Sequence, residues 1–192
     1  MQNQNKIQDS FFILLAAESI KYILNKNIEK KIKKTQIEEL GIQLGEKESN
    51  QIMNDKNFNF ENYDNKYSKI IKSMASIQDI IWINIFRMDN FQLKTDNNKN
   101  IFYIYTGDIK LYNFLYTKKG MNQENEVLEA ILWFIGGIIK GTANVFNIEC
   151  IINAQVREWA DSDYQEGENK IKIKPSQFFF EFIVNILNNE DN

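Results

Sequence analysis

Few residues in this chain could do chemistry. Its 192 residues include one cysteine and no histidine. Without histidine the commonest acid–base catalyst and the commonest metal ligand are missing. Cys150 has no second cysteine to pair with, which fits a reducing compartment. It sits on the apolar side of an alternating stretch and reads as an inert core thiol. Gly136 to Thr142, GGIIKGT, has the outline of a phosphate loop. It fails the rule, because Thr142 and not lysine follows the second glycine, and no strand leads into it. The carboxylate pairs Glu38/Glu39 and Glu46/Glu48 fall on polar helix faces, where carboxylates are solvated. No catalytic, cofactor-binding or metal-binding set emerges. The expectation is a non-enzyme with no cofactor.

The elements that would position such residues are organised around Val127 to Val156. Residues 125–146 predict a helix that is apolar almost all round from Ala130 to Ile139. Such a helix has to be covered on several sides. Its apolar run is shorter than the roughly 18–20 residues of a membrane span. Gly136, Gly137 and Gly141 lie inside it, although each glycine costs a helix up to about 1 kcal/mol relative to alanine. Gly137 and Gly141 share a face, which predicts close packing against a second backbone. From Ile148 to Val156 apolar and polar residues alternate, the period of a half-buried strand.

Earlier in the chain, Asp9 or Ser10 can cap a first helix. Phe12, Ala16, Ile20 and Ile23 form its stripe, widened by Ile13, Ala17 and Leu24. Residues 26–34 hold five lysines and one glutamate. They read as a solvated helix end, or as a weak attraction to anionic lipid headgroups. Thr35 and Glu38 form a capping box and predict a second helix starting there. Its face carries Ile37, Leu40, Gly41, Leu44 and Gly45. A third helix is expected over residues 67–89. Two short strands around Thr106-Gly107-Asp108 read as a hairpin. Residues 170–174 alternate as a last strand, stopped by Pro175. After it comes a C-terminal apolar extension, 175–192, which Ser176 could cap.

This order predicts one α+β domain over residues 1–192, with a polar N-terminal tail over 1–8. Its sheet would be built from two hairpins packed against helices. A net charge of −3 argues against nucleic acid as a partner.

Three stretches carry a resemblance to the small subunits of TRAPP, the tethering complex of early secretory traffic, known as the Bet-three family. Ile37 to Gly45 is similar to the family's L-x-x-x-G-x-x-x-G helix. Asp79 to Arg87, followed by Phe91 to Asp96 and Phe102-Tyr103-Ile104, looks most like the subunit-six class. Phe134 to Gly141, with Asn147 to Glu149 and Ile151 to Val156, resembles the family's F-x-x-G-x-x-x-G helix and the strand after it. The resemblance implies a four-stranded antiparallel twisted sheet with four to five helices on one side. It implies a non-catalytic structural subunit of a multisubunit vesicle-tethering, Rab-GTPase-activating complex, peripheral to ER and Golgi membranes. It also implies heterodimerisation with a related small subunit through the first two helices. On that basis Phe12, Ala16, Ile20, Ile37, Leu40, Gly41, Leu44 and Gly45 are the candidate interface, with Gly136, Gly137 and Gly141 packing the core. The founding subunit carries an acylated cysteine before its third helix. Residues 59–67 here contain none. Two other readings stay open: the same fold in another large assembly, such as an organellar or mitochondrial membrane complex, and a lipid- or small-molecule-binding module.

Overall fold

The computed structural model describes residues 2–54, 66–86, 91–96, 101–107, 109–115, 121–158 and 178–187, with the side chains of 2–12, 66–73, 84, 85, 110, 121–123 and 178 left out. The elements run α1 (Gln2–Leu24), α2 (Lys30–Asn54), α3 (Lys66–Ile81), β1 (Phe91–Asp96), β2 (Ile101–Thr106), α4 (Lys110–Leu115), α5 (Met121–Val145), β3 (Cys150–Glu158) and β4 (Phe178–Ile186). A π-helical turn, Trp82–Phe86, continues α3. The four strands form one antiparallel sheet in the order β1-β2-β4-β3. This is the α+β architecture that the sequence pattern and the family resemblance imply.

The register explains the core. Leu93, Ile104 and Phe182 lie opposite one another across three strands, as do Phe102, Val184 and Ile152 across β2, β4 and β3. Side chains of opposed residues share a face. That face meets the helices, with Phe102, Ile104, Phe180, Phe182 and Val184 fully buried. From the helix side come Met74 and Ile77 of α3, Ile20 of α1, and Ile131, Ile135 and Ile138 of α5. Helix α5 lies against β3 and along α2, α3 reaches β1, and α1 packs on α4 and the π turn.

Several boundaries differ from expectation for physical reasons. Helix α1 begins at Gln2, so the polar residues of the N-terminal tail are helical and Asp9 and Ser10 are interior. Helix α2 begins at Lys30, which puts Thr35 inside it. The Thr35 hydroxyl donates to the Lys31 carbonyl at 3.1 Å, a helix-interior bond that replaces the expected cap. The hairpin pairs β1 with β2, and residues 111–115, expected as its second strand, form α4. Aromatic residues are enriched in strands, but a six-residue helix carrying Tyr112 and Phe114 has the same composition. The larger departure is β4. The expected C-terminal extension supplies one of the two central strands of the sheet, paired on both edges. Residues 170–174, expected as the last strand, lie outside the described residues.

Helix α5 ends where Asn147 takes a left-handed conformation, φ 54°. The Ile148 amide bonds to the Ala143 carbonyl and the Asn147 amide to that of Asn144, at 3.0 and 2.9 Å. This is the Schellman closure, with asparagine in the place glycine usually takes. It turns the chain directly into β3.

Candidate functional site: the two faces of helix α2

Helix α2 runs parallel to α5, and the glycines set how closely they approach. A methyl group built on Gly41 would fall on the Phe134 carbonyl oxygen and lie 3.0 Å from the Gly137 Cα. One on Gly45 would meet the Ile138 carbonyl. From the other side, Gly137 faces the Glu38 carbonyl and Gly141 the Ile42 carbonyl. Carbonyls therefore occupy the space that side chains would fill, and only glycine fits on either helix at these four positions. The seam continues in a polar lock. Ser49 donates to Thr142 at 3.0 Å, and Thr142 donates to the Ile138 carbonyl at 3.1 Å, both hydroxyls fully buried. Towards its ends the seam is flanked by Lys30–Glu129 at 2.6 Å and by Asn144 donating to Glu46 at 2.8 Å. The Lys33 ammonium donates to the Leu24 carbonyl at 2.6 Å and ties the end of α1 to α2.

The opposite face of α2 is open. Between it and α1 lies a groove of about 700 Å³, walled by Ser19, Tyr22 and Ile23 on α1 and by Gln36, Leu40 and Gln43 on α2. Lys26 bridges its mouth, donating to Gln36 at 3.4 Å with its ammonium 4.6 Å from the Tyr22 ring centroid. Two large apolar residues of α1 are exposed: Tyr22 in the groove wall at 68%, and Leu15 at 52%. Seven residues separate them, so they share one stripe of α1.

The candidate interface residues therefore divide. Ile20 and Ile37 are fully buried in the core. Gly41 and Gly45 are spent on α5, inside the chain, and are not available to a partner. Ala16, Leu40 and Leu44 are half-buried, packed on the core. Leu40 alone of the set also lines the groove. The Phe12 side chain lies outside the described ones. Of the three core glycines, Gly137 and Gly141 pack tightly, but Gly136 does not. A Cβ there would meet nothing within 4 Å, because Gly136 faces an open cleft. Leu15 and Tyr22 escaped the sequence reading, since α1 is apolar on both sides of its core stripe.

Burial pushes the Cys150 thiol up, only partly opposed by the Lys140 ammonium, so the thiolate nucleophile is suppressed. No group of three or more His, Cys, Asp and Glu that could hold a metal ion occurs among the described residues. On the sheet face away from the core, buried Glu181 accepts a hydrogen bond from Gln155 and faces Arg157 at 3.4 Å. The neighbouring Tyr105 hydroxyl is pushed up to about 12 by burial, then by the charges of Glu181 and Tyr103, with Arg157 opposing. Glu181 already has protein partners, which makes this a structural cluster.

A helix pair fused through glycines and laid on a four-stranded antiparallel sheet defines an α+β class. The sequence matches the family model for transport protein particle (TRAPP) components over residues 12–175, and the chain belongs to that family. Its fold is similar to a crystal structure of a trafficking protein particle complex subunit 3 from Naegleria fowleri covalently bound to palmitic acid. The TM-score is 0.61 at 12% identity, covering 95% of this chain and 97% of that one. No curated protein matches the sequence. No described helix is long and apolar enough to cross a membrane.

Proposed function

We propose that this protein is a non-catalytic structural subunit of a TRAPP-type trafficking complex, and that it binds a related small subunit through the α1–α2 groove. The carrying observation is the groove itself, with Tyr22 exposed in its wall and Leu15 exposed on the same stripe of α1. Apolar side chains left in water next to a concave surface mark an interaction site. Tyrosine at such a place is a frequent binding hot spot. Family membership supports the complex and its trafficking role, and the order of the sequence motifs supports the subunit-six class. The subunit works at the periphery of ER and Golgi membranes as part of the platform on which a Rab GTPase is activated.

The relative from Naegleria fowleri carries covalent palmitic acid. This chain has a single thiol, Cys150, in β3, and none in residues 59–67. A thioester at that stretch is therefore unavailable to it.

Affinity purification of the full chain from its native cell tests the reading. A second small TRAPP-type subunit should copurify in stoichiometric amount. The Tyr22→Glu variant should lose it while keeping its melting temperature, because Tyr22 is mostly in water. Copurification of an unrelated assembly, or retention of the partner by Tyr22→Glu, contradicts the proposal.

A further inference from the structure

The free edge of the sheet at β3 differs from the one at β1. Among the described residues β3 pairs only with β4, with one register from Cys150 opposite Ile186 to Glu158 opposite Phe178 and no bulge. The Leu187 amide donates to the Glu149 carbonyl at 2.9 Å, in that same register. This bond fixes the phase of the ladder. In an antiparallel pair, bonded and non-bonded positions alternate. Residues 149, 151, 153, 155 and 157 therefore exchange bonds with β4. Cys150, Ile152, Ala154 and Val156 turn their amides and carbonyls outward, and nothing among the described residues pairs with them.

Natural edge strands are blunted by lysine, proline, bulges or inward-pointing charge. From Cys150 to Val156 there is no charge and no proline. The opposite edge, β1, carries Lys94 and Asp96 within six residues. Beside the bare edge lies a cleft of about 350 Å³. Ile152 and Ala154 form its strand side, Trp133 and Gly136 its helix side, and Lys34 and Glu38 its rim. Gly136 leaves it open, since a side chain there would meet nothing within 4 Å. Glu38 lies 3.8 Å from Lys140, whereas Lys34 is exposed and has no partner among the described residues. The rim thus presents an uncompensated positive charge.

We propose that the β3 edge is a strand-addition site for an extended peptide of a partner protein. The peptide forms a fifth strand on Ile152 and Ala154, inserts an apolar side chain over Gly136 and sets a carboxylate against Lys34. Backbone bonds supply affinity and the cleft supplies selectivity, as in other strand-addition modes. This site shares no residue with the α1–α2 groove, so both can be filled at once.

A displayed library of random peptides, panned on the full chain, tests the site. Enriched peptides should carry an apolar residue close to an acidic one. Their binding should protect the Ile152 and Ala154 amides from hydrogen exchange, where the free protein exchanges them readily. Ala154→Pro removes an outward amide that the β4 ladder does not use, and should weaken binding by about tenfold or more. Gly136→Leu should do the same by filling the cleft, without loss of thermal stability. Lys34→Glu should abolish the preference for acidic peptides. Peptides that bind Gly136→Leu and Ala154→Pro as well as the unmodified chain would overturn the proposal. So would failure to enrich any peptide, or protection falling on α1 and α2 in place of β3.

Discussion

The two faces of α2 use similar sequence for opposite ends. Towards α5, Gly41 and Gly45 remove side chains so that two backbones touch, and the surface is gone. Towards α1, Gln36, Leu40 and Gln43 keep their side chains and stand apart from Tyr22 across a groove. A glycine stripe shows that some backbone comes close. It does not say whether that backbone belongs to the same chain. A surface meant for a partner needs side chains that the partner can cover; the α1 side has them and the α5 seam does not.

The largest expected effect comes from filling the closed face. Gly41→Leu drives a side chain into the Phe134 carbonyl, which is backbone and cannot move aside without moving α5. Overpacking in cores typically costs about 1–3 kcal/mol, and this site should exceed that range. The folded state should be lost or its denaturation midpoint sharply lowered, as far-ultraviolet circular dichroism against urea would show. An unchanged midpoint would mean that the helices separate easily. On the open face, Tyr22→Glu should cost partner binding about 2 kcal/mol or more, as hot spots do, and leave folding nearly untouched. Titration calorimetry with the purified partner separates the two. A smaller effect is expected at the polar lock. Ser49→Ala leaves Thr142 bonded to the Ile138 carbonyl and removes one buried hydrogen bond, a loss of about 1 kcal/mol. No change in midpoint would mean that the Ser49 hydroxyl contributes nothing net.

Much of this contrast was legible in the sequence, though not its assignment. Gly137 and Gly141 stood out because glycine is costly within an otherwise apolar helix. Their partners, Gly41 and Gly45, stood out equally, but the same spacing serves a heterodimer as well as an internal seam. The groove was hidden because Phe12, Ile13, Leu14 and Leu15 are all apolar, and periodicity cannot choose a face where every face qualifies. The strand β3 was plain, being half-buried with period two. The strand β4 was not. Phe179, Phe180, Glu181 and Phe182 are all buried, so both faces of β4 are covered there, and such strands lose the alternation that identifies them. Its short run also looks like a buried helix or an apolar tail. The π turn at Trp82–Phe86 had no sequence signature at all.

Two adjacent glycines in α5 allow the most direct test of the seam. Gly136→Ala and Gly137→Ala receive the same gain in helix propensity, up to about 1 kcal/mol. They differ in what the new methyl meets: open space at 136, and the Glu38 carbonyl with the Gly41 Cα 3.0 Å away at 137. Urea denaturation of the two variants beside the unmodified protein should give shifts of opposite sign, with the midpoint raised for Gly136→Ala and lowered for Gly137→Ala. Midpoints that move the same way, or a rise for Gly137→Ala, would contradict a glycine-to-backbone seam between α2 and α5.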